Sequence, residues 1–129
     1  MDLNSQNFSE LVLESDKPVI VEFMWNDSLL CKLMQDRVNR VPEMASDDIE
    51  YLQVDIYKNS DLRESFRIKD IPTFFFYYRG KIIQSTCGLE NEYTFGQKVR
   101  KLIGFYLNIN LLKRDLKIIL KFTRGVLKI

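Results

Sequence analysis

The side chains best suited to chemistry in this sequence are two cysteines, Cys31 and Cys87, and a carboxylate, Glu22, set inside the apolar run Pro18-Val-Ile-Val-Glu-Phe-Met24. Cys31 closes the tetrapeptide Ser28-Leu29-Leu30-Cys31 at the start of a helical pattern. A cysteine attacks as its thiolate, which a helix N-terminus or a neighbouring cation favours. A serine hydroxyl needs a base to become a nucleophile, and the chain has no histidine. The same absence removes imidazole metal ligation and most proton shuttling near neutral pH. The two cysteines stand 56 positions apart, which is no zinc-ligand spacing. Neither a metal centre nor a cofactor is expected.

The elements that must position these residues follow from periodicity. Residues 19–24 are short, apolar and β-branched, which predicts a buried strand. Ser28 suits the N-cap of a helix carrying Cys31, Met34, Val38, Val41 and Ala45 along one face. An earlier helix is expected from about Ser5, with Phe8, Leu11 and Val12 at helical spacing. Residues 49–55 read as a strand, and Ser60 as the cap of a short helix through Phe66. Residues 73–78 and 81–86 make a hairpin about Arg79-Gly80. A helix follows from Asn91, with Phe95, Val99, Leu102, Ile103 and Tyr106 on one side. The order α-β-α-β-α-β-β-α predicts an α/β fold with a central mixed sheet, parallel strands first and an antiparallel hairpin last, and helices on both faces. At 129 residues, 46% hydrophobic, the chain suffices for one full core and not for two.

Pro72 of Ile71-Pro72-Thr73 stands 41 positions after Cys31. Strand, turn, long helix and later Ile-Pro-Thr loop, in that order over residues 6–107, resemble the thioredoxin family. The resemblance implies a thioredoxin fold with its site at the turn. In a thioredoxin that turn reads Trp-Cys-Gly-Pro-Cys-Lys, and here it reads Asp27-Ser-Leu-Leu-Cys-Lys32, with Trp25 two places early. Ser28 therefore takes the place of the thiolate that attacks a substrate disulfide, and its hydroxyl is far too weak an acid for that role. Cys31 takes the resolving position. Three roles are open to it: a small buried core residue, a slow monothiol, or a partner of Cys87, whose strand end lines the client groove in thioredoxins. Glu22 falls where the family carries a buried aspartate that manages the resolving thiol's proton. A buried carboxyl has a raised pKa and suits that acceptor role, and a partly solvated glutamate is the alternative.

Pro72 matches the proline that is cis in thioredoxins, in a loop that pairs with extended clients by strand addition. Leu29 and Leu30 replace Gly-Pro, and with Trp25, Ile71, Pro72, Cys87 and Gly88 they make up the candidate client-binding groove. Asp36 stands where thioredoxins have a kinking proline, so this helix is expected to run straight until Pro42. The functional expectation is a thioredoxin-like protein of the redox-homeostasis class that binds protein or peptide clients. The alternative is residual thiol–disulfide exchange through Cys31.

Charge divides the chain. Residues 1–97 hold 10 Lys and Arg against 17 Asp and Glu, and residues 98–129 hold 9 against Asp115 alone. At about 100° per residue, Lys113, Arg114, Lys117, Lys121, Arg124 and Lys128 share an arc of about 100°. Leu112, Leu116, Ile118, Ile119, Leu120, Phe122, Val126, Leu127 and Ile129 fill most of the rest. Residues 108–129 thus read as a basic amphipathic extension of a domain spanning 1–107. In straight continuation of the preceding helix, its apolar face points away from the core. Either the chain breaks near Asn108-Ile109-Asn110 and the helix packs on its own domain, or residues 111–129 meet another body. That body is a second copy, another protein partner or a membrane surface. Nucleic acid is not expected, since the aromatic residues fall in predicted strands rather than among the tail's lysines. No run is apolar enough to span a membrane and the N-terminus is polar, so the cytoplasm is the expected compartment.

Overall fold

A computed structural model describes residues 2–127, the side chains of 122 and 124–127 excepted. Strand β1 (Val19–Met24) is buried along its whole length, as its continuous apolar character requires. It pairs in parallel with β2 (Glu50–Asp55) and antiparallel with β3 (Thr73–Tyr78). β3 in turn pairs antiparallel with β4 (Lys81–Cys87), so the sheet order is β2-β1-β3-β4. The helices are α1 (Leu29–Asn39), α2 (Ser60–Ser65) and α3 (Glu92–Leu127). Strand alternation sorts the apolar side chains into two cores, one on each face of the sheet. Val19, Val21, Phe23, Val54 and Tyr77 pack with Phe8, Val12 and Leu62. Ile20, Phe74, Phe76 and Tyr78 pack with Met34 and Val38 of α1 and with Phe95, Val99 and Leu102 of α3. The expected mixed sheet between helical layers is the observed one.

Local chemistry moves several boundaries. The first helix starts later than Ser5, because Asn4 Oδ1 accepts from the N–H groups of Gln6 and Asn7 and holds those residues in a turn. Ser9–Leu13 then forms one wide turn, in which Glu14 N–H reaches back to the Ser9 carbonyl. α1 ends at Asn39, before Pro42. Val41 is buried beyond that end, and Pro42 opens a separate 3-10 turn, Pro42–Ala45, where its missing N–H is no loss. The residue preceding α2 is Asn59 rather than Ser60, and Asn59 Nδ2 donates to the Asp55 carbonyl at 3.0 Å. Arg79 and Gly80 both have positive φ, 49° and 76°, as a tight two-residue hairpin requires.

α3 begins after Asn91, whose Oδ1 accepts from Thr94 N–H at 2.8 Å. Its joint with β4 is pinned through Glu90. The Glu90 carboxylate accepts from Lys98 Nζ at 2.6 Å and from Thr86 Oγ1 at 3.2 Å, and its carbonyl accepts from Arg37 of α1 at 2.9 Å. The helix runs unbroken through Asn108-Ile109-Asn110, so the 107/108 boundary falls inside one helix. Phe95, Val99 and Leu102 are buried, and Ile103, Tyr106 and Ile109 are partly so. From Leu111 to Lys121 every residue is exposed. The side chains of Phe122, Arg124, Val126 and Leu127, and all of Lys128 and Ile129, lie outside the described residues.

Candidate functional site

β1 delivers the chain to one end of the sheet, where a short turn leads into α1. Ser28 N–H donates to the Trp25 carbonyl at 3.1 Å and sets that turn. Ser28 has extended backbone, and its Oγ accepts from Cys31 N–H at 3.3 Å. This satisfies one of the open donors of the first helical turn. The hydroxyl that stands where a nucleophile is expected therefore serves as the helix cap. Cys31 turns inward with Met34 and Val38, and only 4% of its surface is exposed. Both cysteines are free thiols.

Pro72 and Thr73 reach the same end of the sheet, because Thr73 pairs with Phe23 at the end of β1. The Ile71–Pro72 peptide is cis. The Pro72 carbonyl accepts from Gly88 N–H at 2.8 Å, and Thr73 Oγ1 donates to the Asp70 carbonyl at 2.6 Å. The turn with Trp25 and Ser28 and the loop with Pro72 and Gly88 are thus carried to the same end of the sheet. Leu29 is 69% exposed, and Leu30 and Leu33 also lie open on the first turns of α1. Trp25 meets Tyr57 edge-on at 4.9 Å, with the Arg63 guanidinium 5.7 Å from the Tyr57 ring centre. Neither Tyr57 nor Arg63 has a sequence signal of its own, since both sit in polar stretches around α2.

Cys87 reaches the same end of the sheet on its other face. It pairs across the hairpin with Thr73 and so shares the face of Phe75, the side of the sheet that carries α2. Its thiol opens on a cavity of about 430 Å³ lined by Phe66, Arg67, Lys69, Asp70, Phe75 and Ser85 among others. α1, with Cys31, packs on the opposite face. Cys87 thus reaches the sheet end that carries Pro72, with its side chain on the face opposite Met34 and Val38 of α1. A strand end marks which edge a residue reaches, whereas strand parity decides the face.

Glu22 is buried, with 1% of its surface exposed, on the α1 side of β1. It accepts hydrogen bonds from Tyr51 Oη and, at 2.9 Å, from Gln53 Nε2. Gln35 of α1, one turn beyond Cys31, joins them: its Oε1 accepts from Tyr51 at 3.2 Å and Gln53 at 3.1 Å. Burial holds the Glu22 carboxyl above the ordinary carboxylate range, against the opposing pull of the Tyr51 and Gln53 hydrogen bonds. Burial, and then the charge of Glu22, push the Tyr51 phenol well above its usual value. Tyr51 and Gln53 were legible only as alternate residues of β2. Their convergence on Glu22 comes from the parallel register that sets Gln53 against Glu22.

Chemically, then, this end of the sheet presents an apolar rim over a capped helix start, with one buried thiol beneath it. Among the described residues no three Cys, Asp or Glu side chains converge as metal ligands do. Comparison with known proteins agrees with the architecture. The thioredoxin family model matches residues 1–101. Chloroplastic thioredoxin Y2 from Arabidopsis thaliana is 34% identical over 76 residues, which is 59% of this chain and 46% of that protein. A mitochondrial thioredoxin from Bos taurus is 26% identical over 98 residues, or 76% of this chain and 59% of that one. A thioredoxin from Rickettsia felis is 24% identical over 102 residues, or 79% of this chain and 97% of that one. The chain spans about half the length of the plant and bovine relatives. The solved structure of a Malassezia sympodialis thioredoxin matches with a TM-score of 0.67 at 19% identity, over 78% of this chain and 88% of that one, a likeness of fold. With the family model covering residues 1–101, most of its length, the chain belongs to the thioredoxin family.

Proposed function

We propose that this member of the thioredoxin family binds extended apolar segments of client proteins at the rim formed by Trp25, Leu29, Leu30, Ile71 and Pro72, and does not reduce disulfides. The observation that carries the reading is the division of labour at the start of α1. Ser28 Oγ caps the helix and Cys31 is buried, while Leu29 and Leu30 stand exposed beside them. A dithiol cycle needs an accessible thiolate to attack and a second thiol to resolve. An apolar rim beside a strand-edge loop needs neither to hold an extended chain. Two unpaired cysteines fit a reducing compartment, the cytoplasm among them.

The test pairs turnover with binding. Reduction of insulin disulfides is compared for the parent, Cys31→Ser and Ser28→Cys, and affinity for a permanently unfolded, carboxymethylated protein is measured alongside. The parent is expected to be inactive and Ser28→Cys to gain activity. Affinity is expected to survive Cys31→Ala and to fall at least tenfold in Leu29→Asp and Leu30→Asp, about the effect of exchanging one buried apolar anchor for a charge. Parent turnover that vanishes in Cys31→Ser would make the protein a monothiol enzyme and overturn the reading.

A further inference from the structure

The stripe of α3 that packs on the core, through Phe95, Val99, Leu102 and Tyr106, continues along the same line of the helix into Lys113, Lys117 and Lys121. Because α3 is unbroken, the opposite line faces away from the domain. Leu111, Leu112, Ile118 and Ile119 lie toward it, and Leu116 and Leu120 carry the apolar arc round to the border of the core stripe; each of the six is between 47% and 67% exposed. At about 100° per residue these six side chains span an arc of about 200°. Lys113 borders that arc on one side and Arg114 on the other, with Lys117 and Lys121 between them on the polar face.

Arc width and charge together select the occupant. A second copy of the helix would offer apolar cover, but a paired coil buries a seam of about two positions in seven and leaves much of this arc in water. It would also bring together two segments that each carry 9 cations against Asp115 over residues 98–129, with no acidic flank to pair across the seam. A bilayer containing anionic lipid answers both features. The wide apolar face buries at the boundary of the acyl chains, and Lys113 and Arg114 extend along their aliphatic stems to the phosphates. Spanning is excluded by the six basic residues in 111–129, and no helix among the described residues is long and apolar enough to cross a membrane. We propose that α3 from Leu111 onward is an interfacial helix that docks this protein on anionic lipid bilayers.

The full-length chain is tested by flotation with vesicles of phosphatidylcholine alone and of phosphatidylcholine containing about a third phosphatidylglycerol. It is expected to float with the anionic vesicles and to be released as added salt shortens the screening length. Lys113→Gln and Arg114→Gln should each weaken partitioning about fivefold, the effect of one cation at such a surface. Leu116→Asp with Ile119→Asp should abolish it. The parent's thermal midpoint is expected in every variant, because these side chains touch no core. Equal flotation with both vesicle types, or none with either, overturns the proposal. A dimer in sedimentation that Ile119→Asp splits, without vesicle binding by the parent, overturns it in favour of a second copy.

Discussion

Ser28 caps α1 through its side chain, which accepts from Cys31 N–H. Its capping role was legible from residue type and place, because a serine before an amphipathic pattern suits an N-cap whatever the rest of the chain does. Ser28→Ala leaves Cys31 N–H without its partner and should cost about 1 kcal/mol in urea unfolding. Glu22 is the opposite case: the sequence left open whether it is buried or partly solvated, and its partners could not be read at all. Its raised pKa makes the folded state hold the proton more tightly than the unfolded chain. That contribution to stability is full below the ordinary glutamate value of 4.5 and is lost as pH rises through the folded value. Glu22→Gln has no such titration. Parent stability relative to Glu22→Gln should therefore decline as pH climbs above 4.5, and a difference that stays flat with pH would mean that Glu22 titrates normally.

At the scale of elements, the hairpin and the N-terminal turn approach closely at Gly80. A Cβ at Gly80 would lie 2.9 Å from the Leu13 carbonyl oxygen, and Gly80 φ is 76°. Gly80→Ala should destabilise by about 1–3 kcal/mol, read as a lower urea midpoint with an unchanged slope. Arg79-Gly80 announced the turn in the sequence, whereas the Leu13 contact did not, since 67 positions separate the two residues. The end of α1 teaches the same lesson. Asp36 in place of a proline removes one cause of a kink, yet the helix still stops at Asn39. Val41 turns into the core by leaving the helix, and tertiary packing overrides the 3.6-residue pattern there.

Taken whole, the molecule is a thioredoxin-family domain with a helix that outruns it. Phe95 lies 5.0 Å from Phe74 and 5.7 Å from Phe76, centre to centre, so the first half of α3 belongs to the core. Residues 111–121 do not. Deleting 111–129 should change unfolding free energy by no more than about 0.5 kcal/mol, as for other surface changes. A larger loss in urea titration would show that the tail packs on the domain. The same deletion should abolish vesicle flotation and leave affinity for unfolded clients intact, which separates the two proposals.

What the sequence by itself determined is local: the order of strands and helices, the capped start of α1 at Ser28, and the basic and apolar stripes of the tail. Each of these depends on residue type and on spacings of two to four positions, which the covalent chain sets directly. Tertiary structure decided the rest. It set Cys87 on the face opposite α1, gathered Tyr51, Gln53 and Gln35 around Glu22, and left the apolar side of α3 uncovered. These depend on strand register and on which surfaces meet across the fold, and residues far apart in the chain settle them only when the sheet and its helices close on one another.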